Sequence, residues 1–322
     1  MSEKLKLGKF AKYAWIVLTY NIVVILWGVF LRASKSGDGC GQHWLTCQGE
    51  VIPSAPEMKT VIEFSHRLTS GLAFLAVLIL VIWAFRKFGK GHHIRKTAFV
   101  SFIFIITEAL VGAGLVLTGN TAEALTAARP FWMAGHLINT FTLLAFLSLT
   151  AWFASGGRRL RFRGEGNALV FLFVAVAGIF FIGMSGSVAA LSGMLFPSAS
   201  LAEGVAKDFA ETSNILVRLR ISHPILSIFV GVFIIFLAGW FKSKAVENVW
   251  VKRWGNILSM LILVQFAWGA VTFLTLAPIV MQLVHLLLAD LIWIAFVLMS
   301  ASFFAEKEEP EVISLASAKR AA

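Results

Sequence analysis

The chain has 322 residues, of which 58% are hydrophobic and 14% charged, and its mean hydropathy is +0.83. A soluble domain carries about 25% charged residues, so this composition excludes a water-soluble globule and points to helices in lipid. The formal net charge of +11 would suit nucleic acid, but the basic residues fall in short segments between apolar runs. That is a topology signal, and nucleic acid is not an expected partner.

A helix needs about 20 mostly apolar residues to cross a bilayer. Eight segments qualify, near residues 12–33, 61–85, 97–118, 131–154, 167–191, 214–241, 254–276 and 279–304. The opening stretch, "MSEKLKLGKFAKY", is basic but leads into a run too long for a signal peptide and shows no small-residue cleavage site. Lys4, Lys6, Lys9 and Lys12 precede the first span. Arg86, Lys87, Lys90, Arg95 and Lys96 follow the second, Arg158, Arg159, Arg161 and Arg163 the fourth, and Lys242, Lys244, Lys252 and Arg253 the sixth. The alternate loops, 34–60, 119–130, 192–213 and the tight turn 277–278 at Pro278, are poor in basic residues. Positive charge marks the inside, so both termini are expected in the cytoplasm. The loop holding Cys40 and Cys47 is then outside, where disulfides form and persist. A Cys40–Cys47 bridge is expected, with two free thiols as the alternative.

The chain also repeats itself. Shifted by 157 residues, His66 falls on His223, Glu63 on Arg220, Glu108 on Gln265 and Gly112 on Gly269. With eight fewer residues in the last short loop, "MAGHLINTFTLLAF" overlies "QLVHLLLADLIWIAF", and His136 falls on His285. The expected fold is therefore an all-α integral membrane protein. Its eight transmembrane helices form two pseudo-symmetric four-helix bundles, residues 1–160 and 161–322, related by an axis along the membrane normal.

Seven histidines are present. His92 and His93 sit in a basic loop and read as solvated, and His43 lies between the cysteines. The other four, His66, His136, His223 and His285, each open an even-numbered span, two per half. Paired imidazoles on facing helices can ligate a heme iron from both sides. One histidine alone would read as a hydrogen-bonded packing residue; four at matched depth and spacing predict heme iron ligands. Zinc or copper fits less well, because apart from Glu63 no carboxylate or thiolate is near.

The halves are not equivalent. "EFSHR" in the first becomes "RISHP" in the second, so Arg220 stands where Glu63 stands and Pro224 where Arg67 stands. Arg67 and Arg220 are natural partners for heme propionates. Glu63 lies on the same helix face as His66 and reads as a general base or cation stabiliser. The plainer reading is an acid of the first helical turn, complementing the helix dipole and paired with Arg67.

The outer loop "LRASKSGDGCGQHWLTCQGEVIP" followed by "EFSHR", the four histidines, the repeat and the eight spans together resemble the heme A synthase family, bacterial type with a cysteine pair in the first outer loop. The resemblance covers nearly the whole chain. It implies an oxidoreductase that converts heme O to heme A for cytochrome oxidase, taking one ring methyl to a formyl group through successive hydroxylations and loss of water. It implies heme O between His66 and His136 in the first half, a permanent heme b on His223 and His285 in the second, and Glu63 as the essential acid. Cys40 and Cys47 would relay reducing equivalents or shape the loop. The implied setting is a bacterial cytoplasmic membrane, multi-pass. The lipid bilayer, heme O synthase and cytochrome oxidase assembly factors are the implied partners, and a homo-oligomer is left open. Two features depart from the pattern: Pro224 follows His223 where arginine is expected, leaving Arg218 or Arg220 to replace it, and Glu108 occupies a glutamine position. A carboxyl at the depth of Glu108 needs a partner or a proton. Asp290, five residues after His285, has no assigned role.

The main rival is a di-heme, quinol-oxidising cytochrome of the b type. Such a wire places one heme near each membrane face, whereas these four histidines all lie at the outer ends of their spans. A transporter or heme chaperone would need midplane charges, to which only Glu108 comes near. A prenyltransferase would need aspartate-rich diphosphate motifs, which the sequence lacks.

Overall fold

The computed structural model describes residues 7–306; Lys4, Lys6 and the two chain termini lie outside them. Among the described residues the structure is helical, without strands, and eight helical segments are long and apolar enough to cross a membrane. The helices are α1 (Lys9–Ala33), α2 (Met58–Lys87), α3 (His93–Leu117), α4 (Arg129–Ala154), α5 (Gly166–Leu195), α6 (Leu201–Phe209), α7 (Ile215–Leu219), α8 (Ser222–Lys244), α9 (Val249–Leu274) and α10 (Ile279–Phe304). The long ones have 23 to 30 residues, which at 1.5 Å per residue gives roughly 35–45 Å and exceeds a hydrocarbon core of about 30 Å.

The predicted spans are all present, several of them longer than expected. α2 begins at Met58 rather than 61 and α3 at His93 rather than 97. The span predicted at 214–241 is broken: α7 ends at Leu219, a turn occupies Arg220 and Ile221, and α8 starts at Ser222. Pro224 explains the break. Its ring has no N–H to donate and would clash with the carbonyl of Arg220, four residues earlier, in a continuous helix. The loop predicted at 192–213 also contains α6, nine residues long. Its start carries a capping box: Ser200 Oγ accepts from Glu203 N–H (3.2 Å), and Glu203 Oε2 accepts from Ala199 N–H (2.8 Å).

The seam of the molecule runs along α4 and α10. α4 packs against α1, α3, α5 and α10, and α10 also meets α1 and α9. Trp293 stacks on Phe141, and its indole N–H donates to the Phe141 carbonyl at 2.6 Å. Leu144, Leu147, Phe296, Leu298 and Met299 are fully buried in this core. At the end of the bundle remote from Cys40, Arg161 N–H donates to Phe304 O, tying the α4–α5 connection to the end of α10.

At the other end, residues 34–57 form a loop folded over the start of α2. Cys40 and Cys47 are joined in a disulfide, both cysteines buried. Gly39 lets the loop lie directly on α2: its carbonyl accepts from Thr60 Oγ1 (2.7 Å) and Gln48 Nε2 (3.0 Å). A Cβ at Gly39 would sit 2.3 Å from the Lys59 carbonyl carbon. Gly39→Ala is therefore expected to cost about 1–3 kcal/mol and to lower the thermal midpoint of the detergent-purified protein. Gly239→Ala, in α8 where a Cβ meets nothing within 4 Å, should match or exceed the wild type, since alanine outranks glycine in a helix by about 1 kcal/mol.

Candidate functional site

His66, His136, His223 and His285 lie near the starts of α2, α4, α8 and α10, and all four line one continuous cavity of about 2100 Å³. A single small-molecule pocket measures roughly 300–1,000 Å³, so this space suits more than one large ligand.

The ring centroids of His223 and His285 are 6.1 Å apart. Two imidazoles bound across one metal at about 2 Å per metal–nitrogen bond require a separation close to this. His223 Nδ1 lies 3.2 Å from both Ser185 Oγ and the Ile182 carbonyl, a contact that holds the ring and leaves Nε2 toward the cavity. Gln265 Nε2 lies 3.2 Å from His285 Nε2 and donates to the His285 backbone carbonyl at 3.1 Å. An amide N–H can only donate, so this contact is directed at the Nε2 lone pair, the same electron pair a metal would take in its place. Glycines let the helices approach the rings. A Cβ at Gly28 would lie 3.0 Å from His66 Cε1, at Gly186 2.9 Å from His223 Cε1, and at Gly269 3.2 Å from His285 Cε1. The buried Nδ1 atoms of His66, His136 and His285 have no protein partner. These features fit heme: paired imidazoles, each of three seated against a glycine, and a cavity with space for a macrocycle.

The two arginines expected to meet propionates are held by protein groups. Arg67 donates from Nε (3.1 Å) and Nη2 (2.5 Å) to Glu63 Oε1, and from Nη1 to the carbonyls of His43 (2.7 Å) and Thr46 (2.8 Å) in the disulfide loop. Glu63 is 3% exposed, and its Oε2 accepts from Cys40 N–H at 2.9 Å. Because α2 starts at Met58, Glu63 lies in the second turn, past the strongest part of the helix dipole. Its charge is balanced by Arg67 and the Cys40 amide instead, in agreement with the plainer reading of its pairing. Arg220 donates from Nε to Asp208 Oδ1 and from Nη2 to Gly204 O (2.8 Å), both on α6. The contrast of acid in one half and cation in the other thus softens: each half carries a buried acid–arginine pair beside the cavity.

Sequence reasoning missed Asp208, although the Ser200–Glu203 capping box announces the helix that carries it. It also missed how Glu108 is partnered. Glu108 Oε2 accepts from Asn139 Nδ2, and Oε1 accepts from Thr140 Oγ1 (2.5 Å) and lies 3.5 Å from His136 Nε2. Asn139 and Thr140 follow His136 by three and four residues, the spacing that shares a helix face. Arg32, on α1, donates to Gln282 Oε1 on α10 at 3.3 Å, another link across the seam. Asp290 is fully buried and neither carboxyl oxygen has a protein partner. His92 caps α3 by accepting from Ile94 N–H at 3.2 Å, a structural role.

Arg67→Met would leave Glu63 buried with only the Cys40 amide against it. Breaking a buried pair from one side costs about 3–5 kcal/mol. The expected outcome is a clear fall in thermal midpoint, and the double variant Glu63→Gln with Arg67→Met should recover much of it.

The cytochrome oxidase assembly protein family COX15-CtaA matches residues 11–297. Among similar proteins, one named protoheme IX farnesyltransferase from Thermus thermophilus is 46% identical over 92% of this chain and 48% of its own length. A heme A synthase from Alkalihalophilus pseudofirmus is 27% identical over 92% of this chain and 96% of its own. Another, from Halalkalibacterium halodurans, is 41% identical over 39% of this chain and 42% of its own. The chain spans about half the length of the Thermus relatives it matches. With a match across this much of its length, and with the paired histidines and disulfide loop in place, the chain belongs to the COX15-CtaA family of cytochrome oxidase assembly proteins.

Proposed function

We propose that the chain is a heme A synthase, oxidising a ring methyl of heme O to the formyl group of heme A for cytochrome oxidase. The observation that carries this reading is the gathering of all four histidines into one cavity at one end of the bundle, within a family whose matched relatives of similar length are named heme A synthases. A di-heme electron wire needs one pair near each face. The farnesyltransferase name belongs to chains of which this one covers about half, and the aspartate-rich motifs of prenyl transfer are missing from this sequence.

In this reading the first half, residues 1–160, takes heme O between His66 and His136. The second half, 161–322, keeps heme b on His223 and His285. Heme, when bound, supplies the redox and oxygen chemistry. The chain supplies the rest. Ser185 and the Ile182 carbonyl orient His223. Gln265 ties α9 to the start of α10 through the His285 backbone carbonyl. Gly28, Gly186 and Gly269 let the neighbouring helices seat the imidazoles of His66, His223 and His285. Glu63, held by Arg67 and the Cys40 amide, places a buried carboxylate on the His66 side, where it stabilises developing positive charge or takes a proton from the substrate. The disulfide loop closes over that carboxylate and shields it from water. The protein is placed in the bacterial cytoplasmic membrane with both termini inside, as the loop charges direct.

The test is the heme content of protein purified from cells that also make heme O, with the hemes extracted and separated by chromatography with mass detection. Heme b together with heme O, heme A or a hydroxylated form is expected; heme b alone, at two per chain, would favour the electron-transfer reading. Glu63→Gln should keep the heme b spectrum and lower heme A formation by about 10²-fold or more. His223→Ala should abolish the heme b spectrum; persistence of that spectrum would reverse the assignment of the halves.

A further inference from the structure

Two arginines at the histidine end of the bundle have no carboxylate. Arg32, near the end of α1, and Arg129, at the start of α4, both line the cavity. Arginine keeps its charge at any ordinary pH, and a charge taken out of water is costly unless an anion meets it. Other basic residues of this end obey that rule: Arg67 faces Glu63, Arg220 faces Asp208 and Lys35 faces Glu123. Arg129 is 3% exposed, yet its partners among the described residues are neutral. Its Nη1 donates to Ala124 O (2.6 Å) and its Nη2 to Ala122 O (2.5 Å), while the buried Nε has no partner. The Arg32 guanidinium donates to Gln282 Oε1 at 3.3 Å, and no carboxylate pairs with it among the described residues. The two guanidinium groups are close enough to repel one another, so each adds to the charge the other leaves unmatched.

Their positions show which part of the cavity they serve. Arg32 follows Gly28 by four residues, and Gly28 is the position against which the His66 ring is seated. Arg129 precedes His136 by seven residues. Spacings of four and seven share a helix face, so both arginines stand on the faces that carry the first-half histidine pair. α1 ends and α4 begins at the end of the bundle that holds the disulfide loop, where Lys35 and Glu123 join the two connecting loops. Both arginines therefore lie one to two turns outward of the histidines.

We propose that Arg32 and Arg129 form a carboxylate subsite that meets the propionate side chains of the macrocycle between His66 and His136. This rests on the assignment of that site to heme O. Heme O carries two propionates on one edge of its ring, and a guanidinium presents paired N–H donors that match a carboxylate. The subsite also bears on which methyl reacts. Axial imidazoles leave the ring free to turn about the iron–nitrogen axis, so they cannot choose among the ring methyls. An anchor at one edge fixes the way round the ring lies and keeps one methyl in place for reaction.

The experiment follows uptake of heme O and of its dimethyl ester by detergent-purified protein that retains heme b, read by absorption difference spectra. Esterification removes both propionate charges and leaves the iron, ring and tail unchanged. Wild type should bind the free acid on the order of tenfold more tightly than the ester. Arg32→Gln and Arg129→Gln should each weaken binding of the acid by a similar factor and leave the ester nearly unaffected. Arg32→Lys should recover part of the loss. An intact heme b spectrum reports folding; if Arg129→Gln fails that check, Arg32→Gln decides. Equal affinity for acid and ester in wild type, or equal loss of both in the variants, would overturn the subsite. A preference for the acid that survives in both variants would leave the arginines to another anion, such as a lipid phosphate, and would overturn it as well. In each of these outcomes heme O is still bound, and the synthase reading stands. Absence of any heme O uptake that His66→Ala or His136→Ala weakens would overturn that reading, and the subsite with it.

Discussion

In the hydrocarbon layer a backbone amide has no water to bond, so every N–H and C=O must be satisfied within its own segment. That constraint dictates the rest of this molecule. It forces uninterrupted helices through the middle and drives loops, caps and irregular backbone to the ends. The chemistry collects where irregular chain is permitted. The four histidines stand in the first three turns of α2, α4, α8 and α10, and the polar groups beside His136, His223 and His285 come from the neighbouring helices α3, α5 and α9. Among the described residues the break in a span, at Arg220–Ile221 before His223, occurs at that same end, where Arg220 N–H donates to Val217 O and His223 N–H to Arg220 O.

Charge follows the same rule. Glu63 and Asp208 are almost fully buried, and each is matched by an arginine. A buried pair returns little net stability, because desolvation offsets most of the attraction. Its effect is geometric. Arg67 spans the Glu63 carboxylate and two carbonyls of the disulfide loop, so the loop, the acid and the histidine face of α2 move as one body. Arg220 does the same for α6 and the start of α8. The two halves solve one problem with different partners: a neighbour four residues on in the first, and a separate capped helix in the second.

The spans, the four histidines and the cysteine bridge were legible because each rests on a local signal: hydropathy over a window, matched spacing after a shift of 157 residues, and two cysteines in one loop. The ends of helices were less so. Met58, Lys59 and Thr60 are not strongly apolar, yet they continue α2 because Gly39 brings loop carbonyls onto its first turn. The pairing of Arg67 with Glu63 was open to the plainer reading of the sequence, but the partner of Arg220 was not, since that arginine was read against an expected anion without the fold that supplies Asp208. Asn139 and Thr140 were in plain sight beside His136, but only the placement of α3 against α4 brings Glu108 to them.

The repeat is most informative where it fails. A duplicated bundle gives two copies of every contact, and any difference in chemistry must then come from single positions. Histidines match across the halves, whereas the arginine-held acids come from different places, Glu63 on α2 and Asp208 on α6. What differs around His136 and His285 is a carboxyl group at 108 against an amide at 265, and open space at Gly112 against a packed ring at Gly269. An amide and a carboxylate are nearly the same size and shape, so this exchange costs the fold little.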